Sequence, residues 1–161
     1  MTALAGEISK IAAYSGSDTI TRSDIDAVTE PVMDAVVFQM TDLIGQGNFS
    51  GALLKLDQLL KMQQEPIAIL GAVGGQLRKI AAARVLMDSG RNSGELMKMY
   101  AMGDYAARKT MDSARRFSAG FCAKAAELIL ETDNKMKSSY DVPERLLEML
   151  VLQLAQEARN G

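Results

Sequence analysis

The sequence contains no histidine and no tryptophan, and it has one cysteine, Cys122, in 161 residues. Without histidine it lacks a common metal ligand and the usual general base of nucleophilic catalysis. A single cysteine forms no intrachain disulfide and builds no zinc site. These absences exclude disulfide-stabilised folds, zinc centres, and Ser-His or Cys-His catalytic pairs.

Long apolar runs and phosphate-binding loops are also absent from the sequence. No apolar run approaches the roughly 20 residues that span a bilayer, and the N-terminus lacks a basic segment followed by an apolar one. Neither GxxxxGK[ST] nor GxGxxG occurs. We therefore expect a cytoplasmic protein without membrane contact, without a cofactor or metal, and without a catalytic site.

The residues that are present favour helices throughout. Alanine (22), leucine (18) and methionine (11) far outnumber valine (8) and isoleucine (9), and unbranched side chains lose little rotamer freedom in a helix. The sequence therefore predicts an all-α fold. Apolar periodicity and turn residues predict helices at about residues 4–14, 22–29, 34–44, 49–62, 66–87, 94–100, 105–117 and 119–137, with a last helix after Pro143.

Pro31 provides the best candidate for a domain boundary. Proline has no amide hydrogen and restricts the residue before it, so we expect the helical pattern to be interrupted there. Residues 1–34 carry six acids and two bases, whereas residues 91–140 carry nine bases and six acids. Contact with a polyanion is therefore expected in the later segment.

Two features of the long helices have structural interpretations. Gly71, Gly74 and Gly75 lie within the predicted helix 66–87, where small residues allow close helix packing. Cys122 is flanked by Phe121 and Ala123, which predicts a buried, inert thiol.

The helix predicted at 105–117 has one strongly basic side. Its helical spacing separates Arg108, Lys109, Arg115 and Arg116 from an apolar side, and Tyr105 projects from the basic side. Basic side chains with one aromatic suit phosphate contact and base stacking. A solvated face without a ligand is the alternative explanation.

A second aromatic site follows a basic helix end. Lys135 and Lys137 precede Tyr140, and lysines at this position also complement the helix dipole. Tyr140 is either a plug packed on the preceding helix or an exposed stacking group. The residues alone favour the plug.

Seven short sequence segments, taken in their order along the chain, resemble the delta subunit of bacterial DNA polymerase III, a clamp-loader component. The segments are EISKI (7–11) with Tyr14, ITRSDI (20–25), VFQM (37–40), ALLKLDQLL (52–60), QLR (76–78), ARRFS (114–118) and DNKMKS (133–138). Their order and spacing extend over nearly the whole chain.

The resemblance implies a domain assignment. Residues 1–31 would be the end of a small helical lid domain related to AAA+ ATPases, and residues 34–161 a helical collar domain. In the family, an N-terminal domain contacts the sliding clamp. The resemblance implies that this domain is missing from this chain, so contact with the clamp would occur only through the missing domain. The family lacks a working ATP site, so no cofactor is implied.

The resemblance also implies a role and a DNA-contact site. The collar joins other loader subunits in a hetero-pentameric ring that loads the clamp on primed DNA during replication. Tyr140, after Lys135 and Lys137, matches an aromatic position near the DNA, and Tyr105 lies near a second one. The alternative, from the residues alone, is a free-standing helical adaptor for nucleic acid or protein.

Overall fold

The computed structural model describes the backbone of residues 22–160 and the side chains of residues 32–160. Seven helices and no strand occupy this part of the chain, which confirms the all-α prediction. The helices are α1 (Arg22–Gly45), α2 (Phe49–Lys61), α3 (Pro66–Asp88), α4 (Ser93–Tyr100), α5 (Asp104–Ala114), α6 (Ala119–Ser138) and α7 (Pro143–Asn160). None of these seven is long and apolar enough to cross a membrane.

Short polar side chains fix several helix starts. Asn48 Oδ1 accepts from Gly51 N at 2.9 Å to begin α2, and Ser118 Oγ accepts from Phe121 N at 3.0 Å to begin α6. Each bond satisfies an amide that has no partner within the helix. Pro66 stands in the first turn of α3, where its missing amide hydrogen costs nothing.

The expected interruption at Pro31 is wrong, because α1 is continuous from Arg22 to Gly45. The helix predicted at 22–29 is therefore its first part. Proline removes one backbone hydrogen bond, but its fixed φ of about −65° is itself helical, so a long helix can continue through it. The helix predicted at 4–14 lies outside the described residues.

The chain divides into two compact units, residues 1–36 and 37–161, and the boundary falls within α1. The assignment of residues 1–31 to a lid-type domain stays a prediction. The description below concerns the second unit.

Helix α3 is the centre of the second unit, since α4, α5, α6 and α7 all pack against it. Helix α7 also packs on α2 and α6. The largest side chains in the core are almost completely buried: Met40, Ile44, Leu56, Leu59, Ile69, Ile80, Leu96, Phe117, Leu147, Leu150 and Leu154. Burying one such side chain contributes about 1.5–3 kcal/mol, so this core holds α3 and its neighbours in place.

Three apolar residues of the long helices are not in the core. Ile67 and Ala81 of α3 and Ile129 of α6 line an open groove between the two helices, and Ile67 is 47% exposed. Part of the apolar surface of α3 and α6 therefore has no partner in the part of the chain that the structure describes.

Candidate nucleic-acid interface

The basic helix predicted at 105–117 ends earlier than expected. Helix α5 stops at Ala114, so Arg115 and Arg116 lie in the turn that leads to α6. Arg108 and Lys109 are on the exposed side of α5, opposite the buried Ala107 and Ala114. All four cations are exposed, but they do not form one helical stripe.

Carboxylates accompany the three arginines. Arg108 pairs with Asp104 one turn earlier. Arg115 Nη1 lies 3.2 Å from Asp112 Oδ1. Arg116 Nη1 lies 3.5 Å from Asp42 Oδ1, on α1. These pairs offset much of the positive charge that the sequence pattern suggested.

Asp42 also fixes the end of α5 on α1. Its Oδ1 accepts a hydrogen bond of 2.8 Å from Ser113 Oγ, and Ser113 is 4% exposed. The Asp42 carboxylate therefore both accepts the hydrogen bond from Ser113 and pairs with Arg116. Such a contact between distant segments has no signal in local spacing.

Lys109 and Tyr105 form an aromatic and cationic cluster with Phe38. Lys109 Nζ lies 4.5 Å from the centre of the Phe38 ring and 5.9 Å from that of Tyr105. Both distances are within the range of cation–π attraction. Tyr105 is 74% exposed, so one face of this cluster is open to a ligand.

Tyr140 is fully exposed, at 107% of the reference value, so the interpretation as a packed plug is wrong. It stands in the short connection between α6 and α7. Ser139 Oγ donates to Asp141 Oδ2 at 3.1 Å and accepts from Asp141 N at 3.2 Å. These bonds on either side of Tyr140 order the connection, while the ring itself remains free to stack.

The two lysines near Tyr140 differ in their surroundings. Lys137 Nζ lies 2.9 Å from Asp133 Oδ2. Lys135 is exposed and forms no ion pair with any residue whose side chain the structure describes. Asp141 adds a negative charge next to the tyrosine. Lys135 is therefore the better phosphate contact of the pair.

The glycines of α3 lie at an open groove rather than at a tightly closed helix contact. A Cβ at Gly74 would meet Ile129 at 3.4 Å, which is ordinary packing, but a Cβ at Gly71 would meet nothing within 4 Å. The prediction of close packing thus applies to Gly74 alone. Cys122 lines the same groove and is half-buried rather than buried, and desolvation raises the pKa of its thiol. A raised pKa favours the unreactive protonated form, in keeping with an inert thiol.

The described residues form an all-α domain with aromatic, basic and apolar side chains exposed on its surface. No cluster of His, Cys, Asp and Glu among them is arranged to hold a metal ion. Residues 34–154 match the family model described as the C-terminal domain of the DNA polymerase III delta subunit. The chain belongs to this family.

Two relatives from Bacillus subtilis extend the comparison. The chain is 25% identical over 149 residues to DNA polymerase III subunit delta, covering 92% of this chain and 43% of the relative. The solved structure of the DNA clamp loader delta protein superposes with a TM-score of 0.74 at 24% identity, over 94% of this chain and 45% of that chain. This chain thus spans less than half the length of each relative.

Proposed function

We propose that the chain is a non-catalytic part of a clamp loader, acting during DNA replication. Its domain 34–161 joins other loader subunits in a hetero-pentameric ring that places the sliding clamp on primed DNA. The match of residues 34–154 to the delta-subunit family is the observation that carries this proposal. A free-standing adaptor is not favoured, because the chain resembles DNA polymerase III subunit delta over 92% of its length.

Assembly is the direct test of this function. We expect the chain to co-sediment with clamp-loader ATPase subunits at low micromolar concentration. By itself it should be monomeric or weakly associated, since a ring of different subunits uses contacts between unlike surfaces. A tight closed homo-oligomer, or no association with the loader subunits, would count against the proposal.

Within this function, Tyr140 and Lys135 form the DNA-contact site. Full exposure of the Tyr140 ring supports this assignment, because a side chain that contacts nothing in the folded chain contributes little to its stability. The bonds between Ser139 and Asp141 order the connection that carries Tyr140 after the end of α6, and Lys135 lies in the last turn of that helix. Stacking on a base and contact with a phosphate suit these two groups. Tyr105, Arg108, Lys109, Arg115, Arg116 and Lys137 are secondary candidates.

Replacing Tyr140 should weaken DNA binding without affecting the fold. We expect Tyr140→Ala in the assembled loader to reduce binding to primed DNA by about 1–3 kcal/mol, the usual cost of losing one stacking aromatic. Fluorescence anisotropy with a primed template measures the binding, and thermal unfolding monitors stability. Tyr100→Ala serves as a control, since it removes a tyrosine that is 37% exposed and lies on α4, outside the proposed site. Unchanged DNA binding by Tyr140→Ala would remove the residue from the site.

Lys135→Ala should act through salt dependence instead. Losing one phosphate contact lowers the slope of log K against log salt by about one, without altering the preference for the primer junction. Lys98→Ala is the matched control, because Lys98 is also an exposed lysine in the last turn of a helix. Equal slopes for Lys135→Ala and the unmodified protein would contradict a phosphate contact. Lys137→Ala is a less specific test, since it also removes the ion pair with Asp133 and leaves that carboxylate without its partner.

A further inference from the structure

Helix α1 holds two of the four cations of α5 and the turn after it, and it holds them by different means. Phe38 and Asp42 lie one turn apart on α1. The Phe38 ring contacts the ammonium group of Lys109, whereas the Asp42 carboxylate pairs with the guanidinium group of Arg116. A carboxylate offsets the charge of its partner, but an aromatic ring has no net charge and attracts a cation through its quadrupole. Lys109 is therefore held in place with its charge intact.

The other two cations of this surface are also paired with carboxylates. Arg108 pairs with Asp104, and Arg115 Nη1 lies 3.2 Å from Asp112 Oδ1. A phosphate that binds either arginine competes with a carboxylate that is already in place. Lys109 forms no ion pair with any residue whose side chain the structure describes. No described carboxylate therefore competes with a phosphate for it.

The contact with the ring leaves the outer side of the Lys109 ammonium group open. Its Nζ lies 4.5 Å from the centre of the half-buried Phe38 ring, and the Lys109 side chain is exposed. An ammonium group has three N–H donors, and a ring on one side leaves the others free to reach a phosphate oxygen. A lysine that is already held loses less rotamer freedom on binding than a free one does. The arrangement thus preorganises one positive charge.

We infer that Lys109 is the main phosphate contact of this surface and that Phe38 is a positioning residue, which holds the ammonium group without neutralising it. The inference rests on the proposed function, because that function supplies the DNA. It selects one cation from the four on this surface. It also gives a role to Phe38, which lies on a different helix from Lys109 and acts on the DNA only through it.

The first test removes the phosphate contact. Lys109→Ala in the assembled loader should lower the slope of log K against log salt by about one, as the loss of one phosphate contact does. Arg108→Ala makes the same change in net charge one residue earlier and should lower the slope by a smaller amount, because Arg108 is already paired. Fluorescence anisotropy with a primed template over a series of salt concentrations measures both. An unchanged slope for Lys109→Ala, or a fall for Arg108→Ala that is as large or larger, would overturn the inference.

The second test removes the positioning ring. Phe38→Leu should reduce the affinity for primed DNA about two- to fivefold, which corresponds to one exposed cation–π pair, and should leave the salt slope unchanged because Lys109 keeps its charge. Phe38→Tyr retains the ring and should bind DNA like the unmodified protein. Phe49→Leu is the matched control and should leave DNA binding unchanged. Phe49 is also half-buried, with Arg159 at 5.1 Å from its ring centre, but it lies on α2.

Combining the two changes separates positioning from a merely structural role. In the Lys109→Ala background, Phe38→Leu should have no further effect on DNA binding, whereas a structural role of Phe38 would weaken binding in both backgrounds. Additive effects would therefore overturn the role of Phe38. Thermal unfolding monitors each variant, and if Phe38→Leu does not fold, the comparison of Lys109→Ala with Arg108→Ala decides. A loader that assembles and binds primed DNA but shows none of these effects would overturn the inference alone, and a loader that does neither would overturn the proposed function as well.

Discussion

Leu56→Ala is expected to lower the free energy of unfolding by about 2–5 kcal/mol, whereas Leu54→Ala changes it by less than about 0.5 kcal/mol. Both leucines lie on α2, but Leu56 is 1% exposed and Leu54 is 70% exposed. Truncating Leu56 removes apolar burial and leaves a cavity between α2 and its neighbours. Truncating Leu54 removes atoms that already contact water.

Chemical denaturation of the two variants measures this difference. The pair is matched in helix, in substitution and in helix propensity, so the difference between them reports burial alone. Equal destabilisation by the two changes would mean that Leu56 does not belong to the core of the second unit.

Much of the helical architecture was predictable from the sequence. The predicted ranges 49–62 and 66–87 differ from α2 and α3 by one residue at one end. The residues at the helix starts are local signals: asparagine and serine accept from an amide three residues later, and proline supplies a helical φ in the first turn. The same locality explains the error at Pro31, where the local rule predicts a break and the helix continues.

The open groove between α3 and α6 shows what apolar periodicity does not predict, namely whether a helical face is covered. Residues 67, 71, 74, 78, 81 and 85 follow a spacing of four and three along α3, which is a second helical face beside the core face. The glycines of this face predict close helix packing. Whether that surface meets another helix of the same chain depends on tertiary placement, which the pattern does not contain.

The candidate DNA site was only partly predictable for a related reason. The residues around Tyr140 leave a packed plug and an exposed stacking group open and favour the plug, because the exposure of the ring depends on how α6 and α7 meet. The sequence pattern overestimates the positive charge of residues 108–116. Residue spacing does not indicate that Asp42 of α1 lies beside Arg116. Long-range pairs decide the net charge of a surface.

Gly45→Ala is expected to destabilise the protein by about 1–3 kcal/mol, because the added methyl group overpacks against a buried ring. Gly45 is the last residue of α1, and a Cβ there would lie 2.9 Å from Cζ of Phe117. The Phe117 ring has little room to move, because it is 2% exposed and stacks on Phe121 with 4.5 Å between ring centres.

Gly71→Ala is the matched change with the opposite expected sign. Gly71 lies inside α3 with nothing within 4 Å of its Cβ position, so alanine should raise the free energy of unfolding by about 0.5–1 kcal/mol through helix propensity alone. Thermal and urea unfolding of both variants should therefore differ by roughly 1.5–4 kcal/mol, combining the overpacking cost with the propensity gain. Stabilisation by Gly45→Ala would show that Phe117 yields to a methyl group and that the contact between α1 and the turn before α6 is loosely packed.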